Sequence, residues 1–198
     1  MWVIILLKRF AFVLCFLIII PFTCYGADNS ASSAVVIDAD TKTILYEKNA
    51  YECRSMASTT KIMTALLAIE SNMLDNPVVI TAEMLDTEGS SLGLNVDDKI
   101  TLNDLVVGMM MTSGNDSANA VAYFLGRDLK GFAKMMNSKA KEIGMKSTVF
   151  VTPSGLDEGE HHSTAYDMAL LGAYAVKNET FAKVSAMKSA DITISNKK

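Results

Sequence analysis

The segment Thr59–Ser71 is apolar around most of a helical circumference. Its large apolar side chains are Ile62, Met63, Leu66, Leu67 and Ile69. A surface helix keeps one polar face, so a helix this apolar has to lie inside the protein. The rest of the chain must therefore fold around this helix.

The flanking sequence predicts a mixture of strands and helices. Two β-rich runs, Ala34–Asp38 and Thr43–Glu47, surround a polar turn and predict a hairpin. A short strand is expected at Pro77–Ile80, and Asp97–Asp98 is expected to form a turn. Further helices are expected at residues 101–111 and 164–176, each opened by a Thr-Xaa-Xaa-Asp cap, and at residues 116–125 and 132–143.

The sequence ends shortly after a further β-rich run, Asp191–Ser195. An unpaired strand would leave backbone N–H and C=O groups without partners. We therefore expect that further residues complete this sheet and that the chain is a fragment of a longer protein.

The first 26 residues have the features of an export signal. Lys8 and Arg9 precede an apolar run, Phe10–Phe22, which is shorter than the roughly 20 residues that span a bilayer. Cys24 and Gly26 are small residues suited to signal peptidase cleavage. We expect a signal peptide at 1–26, a catalytic-type domain at 27–198 and an extracytoplasmic location. An uncleaved anchor helix that includes residues 1–7 is the alternative.

Charge and cysteine content argue against a nucleic-acid-binding domain and against a domain held by internal disulfides. Removing the signal removes two basic residues and no acid, which takes the formal charge from −4 to −6. An acidic domain is unsuited to nucleic acid. Cys53 would be the one cysteine left, so no internal disulfide can form. We expect Cys53 to be a small packed residue.

The spacing Ser-Xaa-Xaa-Lys can join a nucleophile to its base, and it occurs four times. The pairs are Ser58/Lys61, Ser138/Lys141, Ser185/Lys188 and Ser195/Lys198. A lysine acts as a base only when burial or a nearby cation lowers its pKa. The apolar helix begins between Ser58 and Lys61, so this pair combines a helix N-terminus with burial of the lysine.

A lysine that takes the proton of a serine must pass this proton on, which requires a second hydroxyl nearby. Ser113-Gly114-Asn115 is a Ser-Xaa-Asn tripeptide that lies between two expected helices. Gly114 would allow the sharp turn, Ser113 could relay the proton, and Asn115 could hold Lys61 or a substrate amide. Taken alone, the same tripeptide is also typical of a helix-connecting turn with a capping side chain.

Ser-Xaa-Xaa-Lys together with Ser-Xaa-Asn forms two of the three elements of the penicillin-binding protein and β-lactamase signature. The stretches "RSMASTTKIMTALLAIE", "MMMTSGNDSANAVA" and "TPSGLDEGEHHSTAYDMALL" resemble those of the D-alanyl-D-alanine carboxypeptidases. The resemblance implies an α+β fold of the β-lactamase/transpeptidase type, with a helical subdomain and an antiparallel sheet that is incomplete in this chain.

The resemblance also implies a reaction. Ser58 would be the nucleophile, Lys61 the general base, Ser113 the proton relay and Asn115 a substrate-positioning residue. The substrate would be a peptidoglycan stem peptide, the inhibitors β-lactams, and neither metal nor cofactor would be used. Relatives commonly carry a C-terminal amphipathic anchor, which implies peripheral membrane association.

The sequence departs from that family in one respect. The third element, Lys-Thr-Gly or Lys-Ser-Gly, occurs nowhere in the 198 residues. In the family its lysine binds the substrate carboxylate, and an adjacent strand amide completes the oxyanion hole. A truncated remnant without catalytic competence is therefore the alternative function. Ser-Gly-Asn in place of Ser-Asp-Asn makes a class A β-lactamase less favoured.

Two other patterns suggest different chemistry. Gly89–Gly93 matches the Gly-Xaa-Ser-Xaa-Gly elbow of esterases, with Asp157 and His161 following in the right order. The flanking residues are polar where an elbow needs a strand and a helix, so this reading is disfavoured. His161 and His162 with their acidic neighbours match no common metal site, and we expect them to be solvated loop residues.

Overall fold

The computed structural model describes residues 29–196. The described residues from Ser32 onward form one compact unit. The expected signal peptide at 1–26 lies outside the described residues. None of the helices among residues 29–196 is long and apolar enough to span a bilayer.

Helices dominate this unit, with two small sheets. The strands are β1 (Ala34–Ile37), β2 (Ile44–Lys48), β3 (Pro77–Val79), β4 (Asp98–Thr101) and β5 (Ser195–Asn196). The helices are α1 (Lys61–Glu70), α2 (Ala82–Leu85), α3 (Leu102–Thr112), α4 (Asn115–Gly126), α5 (Leu129–Ile143), α6 (Ala165–Ala175) and α7 (Glu179–Ser185). A 3-10 turn, Ala57–Thr60, leads directly into α1.

Both sheets are antiparallel. Strands β1 and β2 form the predicted hairpin, with Val35 opposite Glu47. The second sheet has the order β3-β4-β5, with Val78 opposite Ile100 and Lys99 opposite Ser195. Among the described residues β5 pairs with β4 and is an edge strand of this small sheet, which agrees with the expected incomplete sheet.

Helix α1 forms the centre of the core, as its apolar circumference predicted. Met63, Ala65, Leu66 and Ala68 are all fully buried. Helices α3, α4, α5, α6 and α7 all contact it. Because α1 is enclosed on every side, a polar group placed on it is removed from water as well.

The predicted helix starts are confirmed by their caps. The Thr101 hydroxyl accepts a hydrogen bond from the Asp104 N–H, and the Thr164 hydroxyl accepts one from the Asp167 N–H. Such caps satisfy N–H groups that the first helical turn leaves without intrahelical partners. Helix α5 begins at Leu129, three residues before the predicted start at Phe132.

Several local predictions were incomplete or wrong. Strand β4 was not predicted, because it begins with two charged residues, Asp98 and Lys99, which have low β propensity, and two neighbouring strands hold it in place. The short helices α2 and α7 were also missed. Cys53 was expected to be packed, but its side chain is exposed.

The central position of α1 gives a stability prediction. Leu66 is 0% exposed, whereas Leu45 on β2 is 67% exposed. We expect Leu66→Ala to lower the free energy of unfolding by about 2–5 kcal/mol, because it leaves a cavity in the core. The matched change Leu45→Ala should stay within about 0.5 kcal/mol. Urea denaturation measures both, and equal losses would contradict a core centred on α1.

Candidate active site

Ser58 and Lys61 lie where the 3-10 turn passes into helix α1. Ala57 takes a left-handed conformation, with φ of 46°, just before Ser58. Ser58 is exposed, whereas Lys61 is 3% exposed. Three residues advance the chain by about one helical turn, so both side chains lie on the same side. The Lys61 Nζ is 3.3 Å from the Ser58 Oγ.

The Lys61 amine has two further contacts, and both are to oxygen acceptors. Nζ donates to Asn115 Oδ1 at 2.7 Å and to the Ser154 carbonyl at 2.8 Å. Neither of these oxygens can donate a hydrogen bond. A neutral amine has two N–H groups and one lone pair. With both N–H groups held by these acceptors, its lone pair is left for the Ser58 hydroxyl.

Burial lowers the pKa of Lys61 to about 8, because the ammonium form loses its hydration inside the protein. The Asp116 carboxylate attracts the ammonium and acts in the opposite direction. The amine is therefore partly neutral near physiological pH, which an ordinary surface lysine is not.

Asp116 is the charged partner that sequence analysis missed. Its carboxylate accepts hydrogen bonds from the Ser91 hydroxyl and from the N–H groups of Leu92, Gly93, Leu94 and Ser117. Burial alone would raise the pKa of Asp116, but these donors outweigh it and the pKa is lowered. The negative charge is thus kept close to Lys61.

The contacts of Asp116 also account for the Gly89–Gly93 stretch, which matched the sequence of an esterase elbow. Ser91 lies in the loop between α2 and β4, where its hydroxyl donates to Asp116 Oδ2 at 2.6 Å. No strand directly precedes Ser91, and no helix directly follows it. Ser91 holds this loop against the start of α4, and the strand-turn-helix geometry of an esterase elbow is absent at this serine.

The Ser113-Gly114-Asn115 segment connects α3 to α4. The left-handed turn is at Ser113, with φ of 56°, and not at Gly114 as expected. Gly114 is needed for a different reason, since a Cβ there would lie 2.8 Å from Asp116 Oδ1 and 3.0 Å from the Leu92 N. The half-buried Ser113 hydroxyl makes no hydrogen bond within residues 29–196.

Asn115 joins three parts of the site. Its Oδ1 accepts from Lys61, its Nδ2 donates to the Glu88 carbonyl at 2.6 Å, and its N–H donates to the Ser90 carbonyl at 2.7 Å. Its side chain therefore does not cap helix α4, which was the simpler interpretation. The structure thus places the Asn115 side chain in contact with Lys61. The Ser113 side chain, two residues earlier in the chain, makes no hydrogen bond to Lys61.

The loop of residues 150–156 supplies the Ser154 carbonyl. The Thr64 hydroxyl donates to the Pro153 carbonyl at 2.7 Å, which fixes this loop on α1. Gly155 has φ of 89°, and a Cβ there would lie 1.8 Å from the Ala57 carbonyl oxygen. Only glycine permits so close an approach of the loop to the turn that carries Ser58.

His161 is buried, so its expected place as a solvated loop residue was wrong. Its Nδ1 accepts from the N–H groups of Val151 and Thr152 at 2.9 and 3.3 Å. The hydrogen therefore belongs on Nε2, which donates to the Thr60 hydroxyl at 3.0 Å. Burial lowers the pKa of His161, although Asp157 opposes this. The neutral ring links the loop to the turn.

The other Ser-Xaa-Xaa-Lys pairs lack this environment. Ser138 and Lys141 are both exposed on α5, and Ser185 and Lys188 are both exposed near α7. Lys198 lies outside the described residues. Among the pairs that the structure describes in full, only Ser58/Lys61 combines an accessible hydroxyl with a buried amine.

Comparison with known proteins gives the family. The profile described as D-alanyl-D-alanine carboxypeptidase matches residues 21–198. The chain belongs to the D-alanyl-D-alanine carboxypeptidase family. It is 39% identical over 162 residues to the D-alanyl-D-alanine carboxypeptidase DacF of Bacillus subtilis, a match that covers 78% of this chain and 41% of that protein.

Solved structures confirm the expected fold. The D-alanyl-D-alanine carboxypeptidase DacD of Francisella tularensis is 37% identical, with a TM-score of 0.76 over 80% of this chain and 40% of the other. The D-alanyl-D-alanine carboxypeptidase of Mycobacterium tuberculosis is 31% identical, with a TM-score of 0.80 over 85% and 67%. The chain thus spans about two fifths of the Bacillus and Francisella relatives.

The buried amine gives a prediction that NMR can check. In protein labelled with ¹³C at lysine Cε, one resonance should titrate with a midpoint of about 8 and should disappear in Lys61→Ala. Lys139 is the internal control. Burial would lower its pKa, but hydrogen bonds to Glu142 and Glu70 outweigh burial and raise it. If every lysine titrated in its ordinary range, Lys61 would not be desolvated.

The His161 bridge gives a second prediction. We expect His161→Ala to lower the free energy of unfolding by about 1–3 kcal/mol, because two buried N–H groups lose their acceptor. Amide hydrogen exchange at Val151 and Thr152 should speed up selectively. His162→Ala is the matched control and should leave both amides protected. Unchanged exchange in His161→Ala would show that the ring does not hold the loop.

Proposed function

We propose that the chain carries the acylation machinery of a serine-type D-alanyl-D-alanine carboxypeptidase. The substrate is the stem peptide of peptidoglycan, from which the terminal D-alanine is removed. The observation that carries the proposal is the position of the Lys61 amine, 3.3 Å from the Ser58 hydroxyl and held by two acceptors. Membership of the family supports the same chemistry.

In the first step Lys61 acts as the general base. Its neutral amine takes the Ser58 proton as Oγ attacks the carbonyl carbon of the penultimate D-alanine. The lowered pKa of Lys61 makes the neutral form available, and the contacts with Asn115 and Ser154 fix its orientation. A tetrahedral intermediate forms, with its negative charge on the former carbonyl oxygen.

The start of the helical segment stabilises that charge. The Ser58 N–H has no hydrogen-bond acceptor within residues 29–196, as is usual for the first N–H groups of a helical segment. Such N–H groups carry positive potential and favour an oxyanion at this end. In the proposed mechanism the Ser58 N–H is therefore one donor of the oxyanion hole.

Collapse of the intermediate breaks the peptide bond. The proton held by Lys61 passes to the leaving nitrogen of the terminal D-alanine, with the Ser113 hydroxyl as the relay. Ser58 is left as an ester of the shortened peptide. Water then attacks this ester, and its proton returns through Lys61 to Ser58, which releases the peptide with a new carboxylate.

The proposed location follows from the same substrate. Peptidoglycan lies outside the cytoplasm, and the apolar segment 10–22 after Lys8 and Arg9 has the pattern of an export signal. We propose an extracytoplasmic protein associated with the cell envelope. β-Lactams are the expected inhibitors, because they acylate the serine of this family.

A second candidate function is a non-catalytic remnant of the same fold. It is favoured by one observation, the absence of Lys-Thr-Gly and Lys-Ser-Gly from the 198 residues. Loss of a single oxyanion donor lowers the rate by about 10²–10³. A folded chain that never acylates would favour this candidate.

Labelling with a fluorescent penicillin tests the proposal. We expect covalent labelling of the chain at Ser58, detected by mass spectrometry of the modified peptide. Ser58→Ala should abolish labelling, and Lys61→Ala should slow it by about 10²–10⁴, because the base is lost. Ser138→Ala is the matched control, since it removes the serine of an exposed pair with the same spacing.

Two outcomes of the labelling experiment would contradict the proposal. Labelling that persists at an unchanged rate in Lys61→Ala would remove the base from the mechanism. Absence of labelling in a chain with a cooperative unfolding transition would favour the non-catalytic remnant.

A further inference from the structure

His161 lies between two parts of the chain that meet at the Lys61 amine. On one side is Thr60, the residue directly before Lys61 in the turn that leads into α1. On the other side is the loop of residues 150–156, whose Ser154 carbonyl accepts a hydrogen bond from Lys61. The proposed mechanism assigns no step to His161, although both of its ring nitrogens are bonded to these two segments.

The loop is closed by the Thr152 hydroxyl. This hydroxyl accepts a hydrogen bond from the Gly155 N–H at 3.2 Å and donates one to the Leu156 carbonyl at 2.9 Å. The two contacts form a tight turn that contains Ser154. The position of the Ser154 carbonyl therefore depends on the position of Thr152.

His161 holds the Thr152 end of that turn. Its Nδ1 is the acceptor for the N–H groups of Val151 and Thr152, at 2.9 and 3.3 Å. No backbone carbonyl among residues 29–196 accepts a hydrogen bond from either N–H group. Without the ring nitrogen both N–H groups would lose their acceptor, and the loop would have to move to find another.

The second ring nitrogen joins His161 to the turn before α1. Nε2 donates to the Thr60 hydroxyl at 3.0 Å, and both side chains are buried. The Phe150 ring lies edge-on to the imidazole, with 6.1 Å between the ring centroids. The imidazole is thereby held in one orientation between the loop and the turn.

The contacts of the loop with the start of α1 surround Lys61. Thr60 is bonded through His161, and the Thr64 hydroxyl donates to the Pro153 carbonyl at 2.7 Å. Thr60 and Thr64 are four residues apart, so their side chains lie on the same side of the helix start. Without His161 the contact of Thr64 would remain, but the bridge to Thr60 would be lost.

A displaced Ser154 carbonyl would change Lys61 in two ways. The amine would lose one of the two acceptors that direct its lone pair to the Ser58 hydroxyl. Water that entered beside the loop would hydrate the ammonium form and raise the pKa of Lys61. Both changes would slow the removal of the Ser58 proton near neutral pH.

We propose that His161 is a positioning residue for the general base of the acylation step. Its imidazole joins Thr152 of the loop to Thr60 of the turn. Through this bridge it keeps the Ser154 carbonyl in contact with the Lys61 amine. The inference rests on the proposed function, because that amine is the base only if the proposed reaction takes place.

Two measurements on His161→Ala test this role. The rate of labelling by fluorescent penicillin near neutral pH should fall by about 10–100-fold, since a misplacement of about 1 Å can cost 100-fold. The titration midpoint of Lys61, followed by ¹³C NMR at lysine Cε, should rise from about 8 toward the ordinary lysine value of about 10.4. The labelling deficit should therefore shrink as the pH is raised. A residue that only stabilised the fold would leave the midpoint unchanged in the folded protein.

Two conservative variants separate the two ends of the bridge. In His161→Asn the amide oxygen can take the place of Nδ1 and accept from the loop, whereas in His161→Gln the longer amide reaches the place of Nε2 and bonds to Thr60. We expect His161→Asn to restore most of the labelling rate and the wild-type Lys61 midpoint, and His161→Gln to restore neither. His162→Ala is the matched control and should change neither quantity, because the His162 ring bonds to the Glu160 carbonyl instead.

The outcomes separate this inference from the proposed function. A wild-type labelling rate or an unshifted Lys61 midpoint in folded His161→Ala would overturn the positioning role, and so would equal midpoints in His161→Asn and His161→Gln. If His161→Ala does not fold, the comparison of the other two variants decides. If the wild-type chain is not labelled, the proposed activity is removed, and the midpoints alone decide whether His161 positions the amine.

Discussion

The buried amine of Lys61 is the group on which the rest of the site depends. Its Nζ contacts Ser58 from the preceding turn, Asn115 from the start of α4 and Ser154 from a loop 93 residues away. Each contact comes from a different part of the chain. The site therefore exists only when α1, α4 and this loop are packed together, which couples the proposed chemistry to the stability of the core.

Burial of helix α1 supports both the stability of the fold and the proposed chemistry. Helix α1 is enclosed by other helices, and this enclosure stabilises the fold through its apolar side chains. The same enclosure removes Lys61 from water and lowers its pKa to about 8. Asp116 limits that effect, and its carboxylate is in turn held by N–H groups of the Ser91–Leu94 loop. The protein thus tolerates a desolvated amine because its polar partners are arranged around it.

Much of the fold and part of the site could be predicted from local patterns. The hairpin, the apolar helix and the threonine caps were predicted because each depends on residues close in sequence. The pairing of Ser58 with Lys61 was predicted because three residues make about one helical turn. Asp116 and His161 were missed or misplaced because their surroundings come from distant segments. His161, for example, contacts Thr60 across 101 residues. The exposed Cys53 was misjudged for the same reason.

The sequence by itself determined the Ser58/Lys61 spacing, the apolar helix that buries Lys61 and the resemblance to a family, since these depend on residue types at fixed local separations. Only the tertiary structure decided which groups surround the amine and which loop carries the Ser154 carbonyl. Those features depend on contacts between segments far apart in the chain. A local pattern fixes the direction of a side chain on its own helix, but it does not fix what packs against it.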